Sequence, residues 1–142
     1  MMNLFKKIIT VCILLSPFFM FGQHQIWYKT EKEVTELIVG PWKMEKWTFE
    51  GREKTIDPKD TFGFVIYRKN DSLKISELIY TFDKSKVIQK DLSFSVEKDN
   101  SQYHACTDYT YKIYCQEIRF IDSTKIILEE GPNISTYKRI IR

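Results

Sequence analysis

Histidine occurs twice and cysteine three times in 142 residues, and no two of them stand at a metal-ligand spacing. A paired-cysteine or Cys/His zinc pattern is therefore excluded, and no metal or other cofactor is expected. The five glycines form no phosphate-binding loop, and no serine sits in a nucleophile elbow. Long hydrophobic runs are missing as well: the longest, residues 8–15, stops at Ser16-Pro17, where a membrane span needs about 20 apolar residues. One-sided charge is also lacking, at +3 overall. Nothing here argues for nucleic acid or for stable insertion in a membrane.

What the first 22 residues do contain is the layout of a signal peptide: Lys6 and Lys7, the apolar run, then the Ser-Pro break and a second apolar patch. Cleavage is expected after Gly22. Cys12 does not mark a lipid anchor, because Val11 precedes it where a small residue would stand. Removing Lys6 and Lys7 from the 22 basic residues leaves 20 against 19 acidic ones, a nearly balanced surface of +1. A periplasmic or secreted destination follows, and in an oxidising compartment the remaining Cys106 and Cys115 form either a disulfide or two buried free thiols.

Residues 23–40 form an N-terminal segment with a short helix. Thr30 and Glu33 make a capping box, Val34, Leu37 and Ile38 share a face, and Gly40-Pro41 stops the helix. From residue 41 to 142 the signals are those of strands. Eight runs rich in β-branched and aromatic residues alternate with turn chemistry such as KND, KDN and GPN. On the first run Trp42 and Met44 fall on one parity and Trp47 and Phe49 on the other, so a β-bulge near Glu45-Lys46 is needed to make one apolar face. Eight antiparallel strands with few prolines and no covering helix avoid free edges most simply by closing, which predicts an all-β, eight-stranded up-and-down barrel, with a two-sheet sandwich as competitor. The polar stretch GREKTIDPKD reads as a mobile loop able to cover a barrel mouth.

A docked helix, a Gly-x-Trp corner and eight up-and-down strands resemble the lipocalin family (calycin-type barrels), in its small bacterial exported form. The resemblance implies that Trp42, following Gly40, lies across the closed end of the barrel with Arg139 packed on its ring. A second family motif, Thr-Asp-Tyr at a late hairpin, is similar to Thr107, Asp108 and Tyr109. A tight turn at Thr107-Asp108 is incompatible with a Cys106–Cys115 bridge, which instead predicts a wide loop over residues 107–114.

For chemistry, His104 two residues before Cys106 is the only Cys/His pairing, and without a third group it reads as a surface histidine. Glu77, Asp83, Asp91 and Glu97 sit among lysines and read as solvated, outward groups. No catalytic residue is assigned and no enzyme activity is expected. The aromatics are the positive signal: Trp47, Phe49, Phe64, Tyr80, Phe94, Tyr111, Tyr114 and Tyr137 are expected to line a largely apolar interior, either open or filled. Tyr137 and Arg139 share a parity and could hold a carboxylate. The function this supports is non-enzymatic binding of a small hydrophobic ligand. The alternative is a protein partner, in the manner of an exported inhibitor or immunity protein, bound through the loop after the first strand or the tyrosine-rich 109–114 stretch.

Overall fold

The computed structural model describes residues 26, 29–81 and 84–141; the expected signal peptide and its cleavage point lie outside these residues. Helix α1 spans Glu31–Ile38 and begins as the sequence dictates. Thr30 Oγ1 accepts from the Glu33 amide at 3.2 Å and Glu33 Oε2 accepts from the Thr30 amide at 2.6 Å, which satisfies two of the helix's orphan donors. An isolated helix of two turns is marginal in water. Burial of Val34 and Ile38 in the hydrophobic core holds it in place.

Among the described residues nine strands follow: β1 Gly40–Phe49, β2 Arg52–Lys54, β3 Thr61–Lys69, β4 Ser72–Tyr80, β5 Ser85–Asp99, β6 Gln102–Asp108, β7 Ile113–Ile121, β8 Lys125–Glu130 and β9 Asn133–Arg139. All pairings are antiparallel, and β1 pairs with both β3 and β9, so eight strands close into a barrel. Closure satisfies the ladder on both sides of β1 and removes the free edges a sandwich would leave. The polar stretch expected to be a loop is partly a strand. β2 lies within it and pairs with Trp47, Thr48 and Phe49 at the far end of β1.

Turn chemistry fixes the register. Asn70-Asp71 joins β3 to β4 and Asn100-Ser101 joins β5 to β6, and all four residues have positive φ, as type I′ hairpin turns require. The β1–β9 register slips between Met44 and Lys46. That bulge puts Trp47 opposite Ser135 and Phe49 opposite Asn133, on the face shared by Met44 and Tyr137. The extra residue therefore reconciles the two parities that the sequence shows.

Cys106 and Cys115 face each other directly across β6 and β7, with Cα atoms 4.1 Å apart, and form a disulfide. The wide loop expected over residues 107–114 is not found. Thr107 pairs with Tyr114 and Asp108 with Ile113, so the turn is displaced to residues 109–112, where the Tyr109 amide donates to the Lys112 carbonyl at 3.0 Å. The turn begins two residues later than one at Thr107-Asp108 would, which is why hairpin and bridge coexist. Closing a loop of sequence separation nine stabilises by about 2.5 kcal/mol in the chain-entropy account. Replacing both cysteines by serine is therefore expected to lower the melting temperature by roughly 10 °C, measured by calorimetry, with the barrel intact by circular dichroism.

Candidate functional site

The closed end is built around Trp42. The positive φ of Gly40, +134°, starts β1 in a conformation closed to most side chains, and a Cβ there would collide with the Arg139 guanidinium. Trp42 is fully buried, and its indole Nε1 donates to the Ile38 carbonyl at 2.8 Å. The guanidinium carbon of Arg139 lies 4.2 Å from the centroid of the Trp42 ring. Its nitrogens donate to the carbonyls of Leu37, Val39 (2.7 Å) and Ser123 (2.7 Å), joining α1 and the β7–β8 turn to the last strand. Trp42 and Arg139 thus seal the base and anchor the helix.

Beyond this plug lies a cavity of about 410 Å³, within the range of small-molecule pockets, roughly 300–1,000 Å³. Its walls are mostly apolar: Ile38, Phe62, Phe64, Ile66, Ile75, Phe94, Ala105 and Leu128 contribute, with the Phe64 and Tyr137 rings 4.8 Å apart. Thr107, Tyr109, Tyr111, Lys112, Tyr114 and Gln116 bring polar atoms from the β6–β7 hairpin, where the high exposure of Tyr111, 86%, marks the mouth.

The structure sorts the aromatics expected to face the interior. Phe64, Phe94, Tyr111, Tyr114 and Tyr137 line the cavity, while Trp47, Phe49, Tyr80 and Arg139 do not. Trp47 stands at the partly exposed far end of β1, where its indole donates to Asn133 Oδ1 at 3.1 Å, and Phe49 lies beside it under Lys54. Tyr80 lies over Gly63 on the outer wall, filling the space a Cβ would take, with Lys43 Nζ 6.0 Å from its ring centroid. Arg139 shares the parity of Tyr137 but sits one step closer to the closed end, committed to Trp42 and three carbonyls.

Glu77 also runs against the sequence reading. Glu77 is not an outward group: it lines the cavity and accepts a hydrogen bond from the Tyr109 hydroxyl. The signal was present in β4, where Leu73, Ile75, Glu77 and Ile79 share one parity. An acid embedded in an apolar parity outweighs the lysines around it. Of the other carboxylates, Asp91 pairs with Lys69 at 3.2 Å, Glu97 is exposed opposite His104, and Asp83 lies outside the described residues.

Burial raises the Tyr109 phenol above its ordinary value near 10, and the hydrogen bond to Glu77 and its negative charge act in the same direction. Burial also raises Tyr137, partly opposed by its hydrogen bond to Ser135, with the Glu77 charge adding to the rise. A folded-state value above the unfolded one means that the unfolded chain releases these protons first as pH climbs. Their contribution to stability is complete below about pH 10 and is lost above it. The melting temperature is accordingly expected to fall above about pH 10, less steeply in Tyr137→Phe, as thermal melts at stepped pH would record.

His104 lies on the outer wall between Glu97 and Glu117, and Cys106 is held in the disulfide. Glu97 approaches both bridge sulfurs, but sulfurs bonded to each other are not the thiolates that a cation needs. Among the described residues no helix is long and apolar enough to cross a membrane.

The fold and its plugged base define a class: an all-β, closed, eight-stranded antiparallel barrel of lipocalin-like architecture, with, among the described residues, one short helix before the first strand. No protein-family model and no curated protein sequence matches the chain. Among solved structures it is similar to a lipocalin-like protein from Bacteroides uniformis, with TM-score 0.48 and 9% identity over 72% of this chain and 98% of that one.

Proposed function

We propose that this protein is an exported, non-enzymatic barrel that binds a small hydrophobic molecule in its interior. The observation that carries the reading is the apolar cavity above the Trp42 plug, with polar side chains concentrated at its mouth. Phe64, Phe94, Tyr114 and Tyr137 would surround the ligand, and an apolar molecule leaving water for such walls gains about 25 cal/mol per Å² buried. The signal-peptide layout of residues 1–22 and the disulfide both fit an oxidising compartment outside the cytoplasm.

Ala105 lines the cavity and sits on a regular stretch of β6, which makes it the place to fill the space. N-phenyl-1-naphthylamine, a neutral probe that fluoresces in apolar surroundings, is expected to bind the wild type. Ala105→Trp should weaken it about tenfold or more, since overpacking a filled site costs about 1–3 kcal/mol. Equal probe binding by a folded Ala105→Trp would remove the cavity as the site.

A second reading has its own observation. Tyr111 and Ile113 are largely exposed beside the mouth, and Val87 and Ile88 stand half exposed where β5 runs past its last pairing with β6. A protein partner bound at this rim would bury them. Recovery of one stoichiometric protein, lost in Tyr111→Ser with Ile113→Ser, would favour it.

A further inference from the structure

We infer that the cavity selects a hydrophobic amine, its ammonium group paired with Glu77 at the mouth and its apolar body held between Phe64, Phe94 and Tyr137. The inference rests on the reading of the cavity as the ligand site and names the chemical class that the site takes.

Charge decides the class. Among the described residues lining the cavity, Glu77 is the acidic side chain and Lys112 the basic one, and they are not equivalent. Glu77 is half buried, set into the wall opposite Phe64 on β3. Lys112 is exposed on the hairpin tip, its Nζ 5.8 Å from the Tyr114 ring centroid. Arg139, the cation that a fatty carboxylate would need, is turned away into the closed end. A carboxylate drawn into the cavity would therefore meet Glu77 with no buried cation to offset it, and two like charges in a poorly solvated site repel strongly.

Glu77 has room for a donor. Among the described residues its hydrogen-bond partner is the Tyr109 hydroxyl, a single donor to one oxygen. A carboxylate offers about four lone-pair sites, and an ammonium group brings three N–H donors to use them. The wall is also irregular at this position. The β4–β5 register slips on both sides of Glu77, between Ile75 and Glu77 and again between Glu77 and Leu78. Bulges of this kind recur where a strand re-aims a side chain next to a binding site.

The tyrosines around the acid suit the same cation. The Tyr109 ring centroid lies 6.3 Å from that of Tyr111 and 6.5 Å from that of Tyr114, the latter nearly edge to face. Ring faces beside a carboxylate attract an organic ammonium by their quadrupoles. The same ring faces repel an anion, and the Tyr109 hydroxyl is already committed to Glu77. A neutral alcohol could use the hydroxyls but would forgo the charge-assisted bond.

The test is a calorimetric titration of the wild-type protein near neutral pH with decylamine, decanol and decanoate, which share one chain and differ in the head group. Decylamine is expected to bind about tenfold or more tightly than decanol, the usual worth of a charge-assisted hydrogen bond, and decanoate most weakly. In Glu77→Gln the ratio of decylamine to decanol affinity should fall to about one. Decanoate binding as well as or better than decylamine, or equal wild-type affinities for decylamine and decanol, would overturn the amine assignment while leaving the cavity as the ligand site. Absence of binding by all three would remove the cavity reading and this assignment together. Should Glu77→Gln fail to fold, the wild-type order alone decides.

Discussion

Trp42→Ala is expected to destabilise the barrel by about 3–5 kcal/mol. For a domain of this size that is a drop in melting temperature of roughly 12–20 °C. The indole is fully buried, so truncation removes a large apolar surface from the core and leaves a void whose lining cannot fully collapse. It also leaves the Ile38 carbonyl without its donor at the point where α1 meets the barrel. The loss should therefore appear first at the helix: hydrogen exchange of the Val34 and Ile38 amides is expected to accelerate more than that of the β5–β6 ladder. Uniform acceleration would mean that the plug supports the whole barrel equally and has no special coupling to the helix.

Arg139→Ala should cost about 2–4 kcal/mol, from loss of the stacked cation and of its donors to three backbone carbonyls. The carbonyls of Leu37, Val39 and Ser123 belong to two separate segments, and the planar guanidinium reaches all three while lying on Trp42. Lysine keeps the charge but not the fork, so Arg139→Lys is expected to recover less than half of the loss. Chemical denaturation of both single variants and of the double variant with Trp42→Ala should give a coupling of about 1–2 kcal/mol between the two side chains. Full rescue by lysine would show that charge alone matters at this position. Neither variant should alter the head-group preference of the cavity, because Trp42 and Arg139 do not line it.

The elements were legible because their signals are local. The capping box at Thr30 and Glu33 starts α1 where it reads, and Asn70-Asp71 and Asn100-Ser101 turn the chain where residues tolerant of positive φ must stand. The broken parity of Trp42, Met44, Trp47 and Phe49 requires an inserted residue, and the register slip falls there. β2 was not legible. Three charged residues, Arg52, Glu53 and Lys54, carry no apolar pattern, and they pair only because the end of β1 offers them a ladder.

The candidate site was only half legible, for a different reason. Parity says which residues share a face, but not how far along the barrel each lies or which of two faces turns inward. Tyr80 and Phe94 look alike in sequence, yet one lies outside over Gly63 and the other lines the cavity. Arg139 and Tyr137 share a face but occupy different levels, one at the plug and one in the cavity wall.

By itself, then, the sequence determined the eight barrel strands, most of their turns and the helix cap, since each depends on residues close together in the chain, and the Gly40-x-Trp42 corner pointed to the plug through its resemblance to a family motif. Closure of β1 onto β9 decided the rest. It set the level of every side chain around the cylinder, left an open space above Trp42, and turned Glu77 into that space, because those outcomes depend on strand tilt and register summed around the whole barrel.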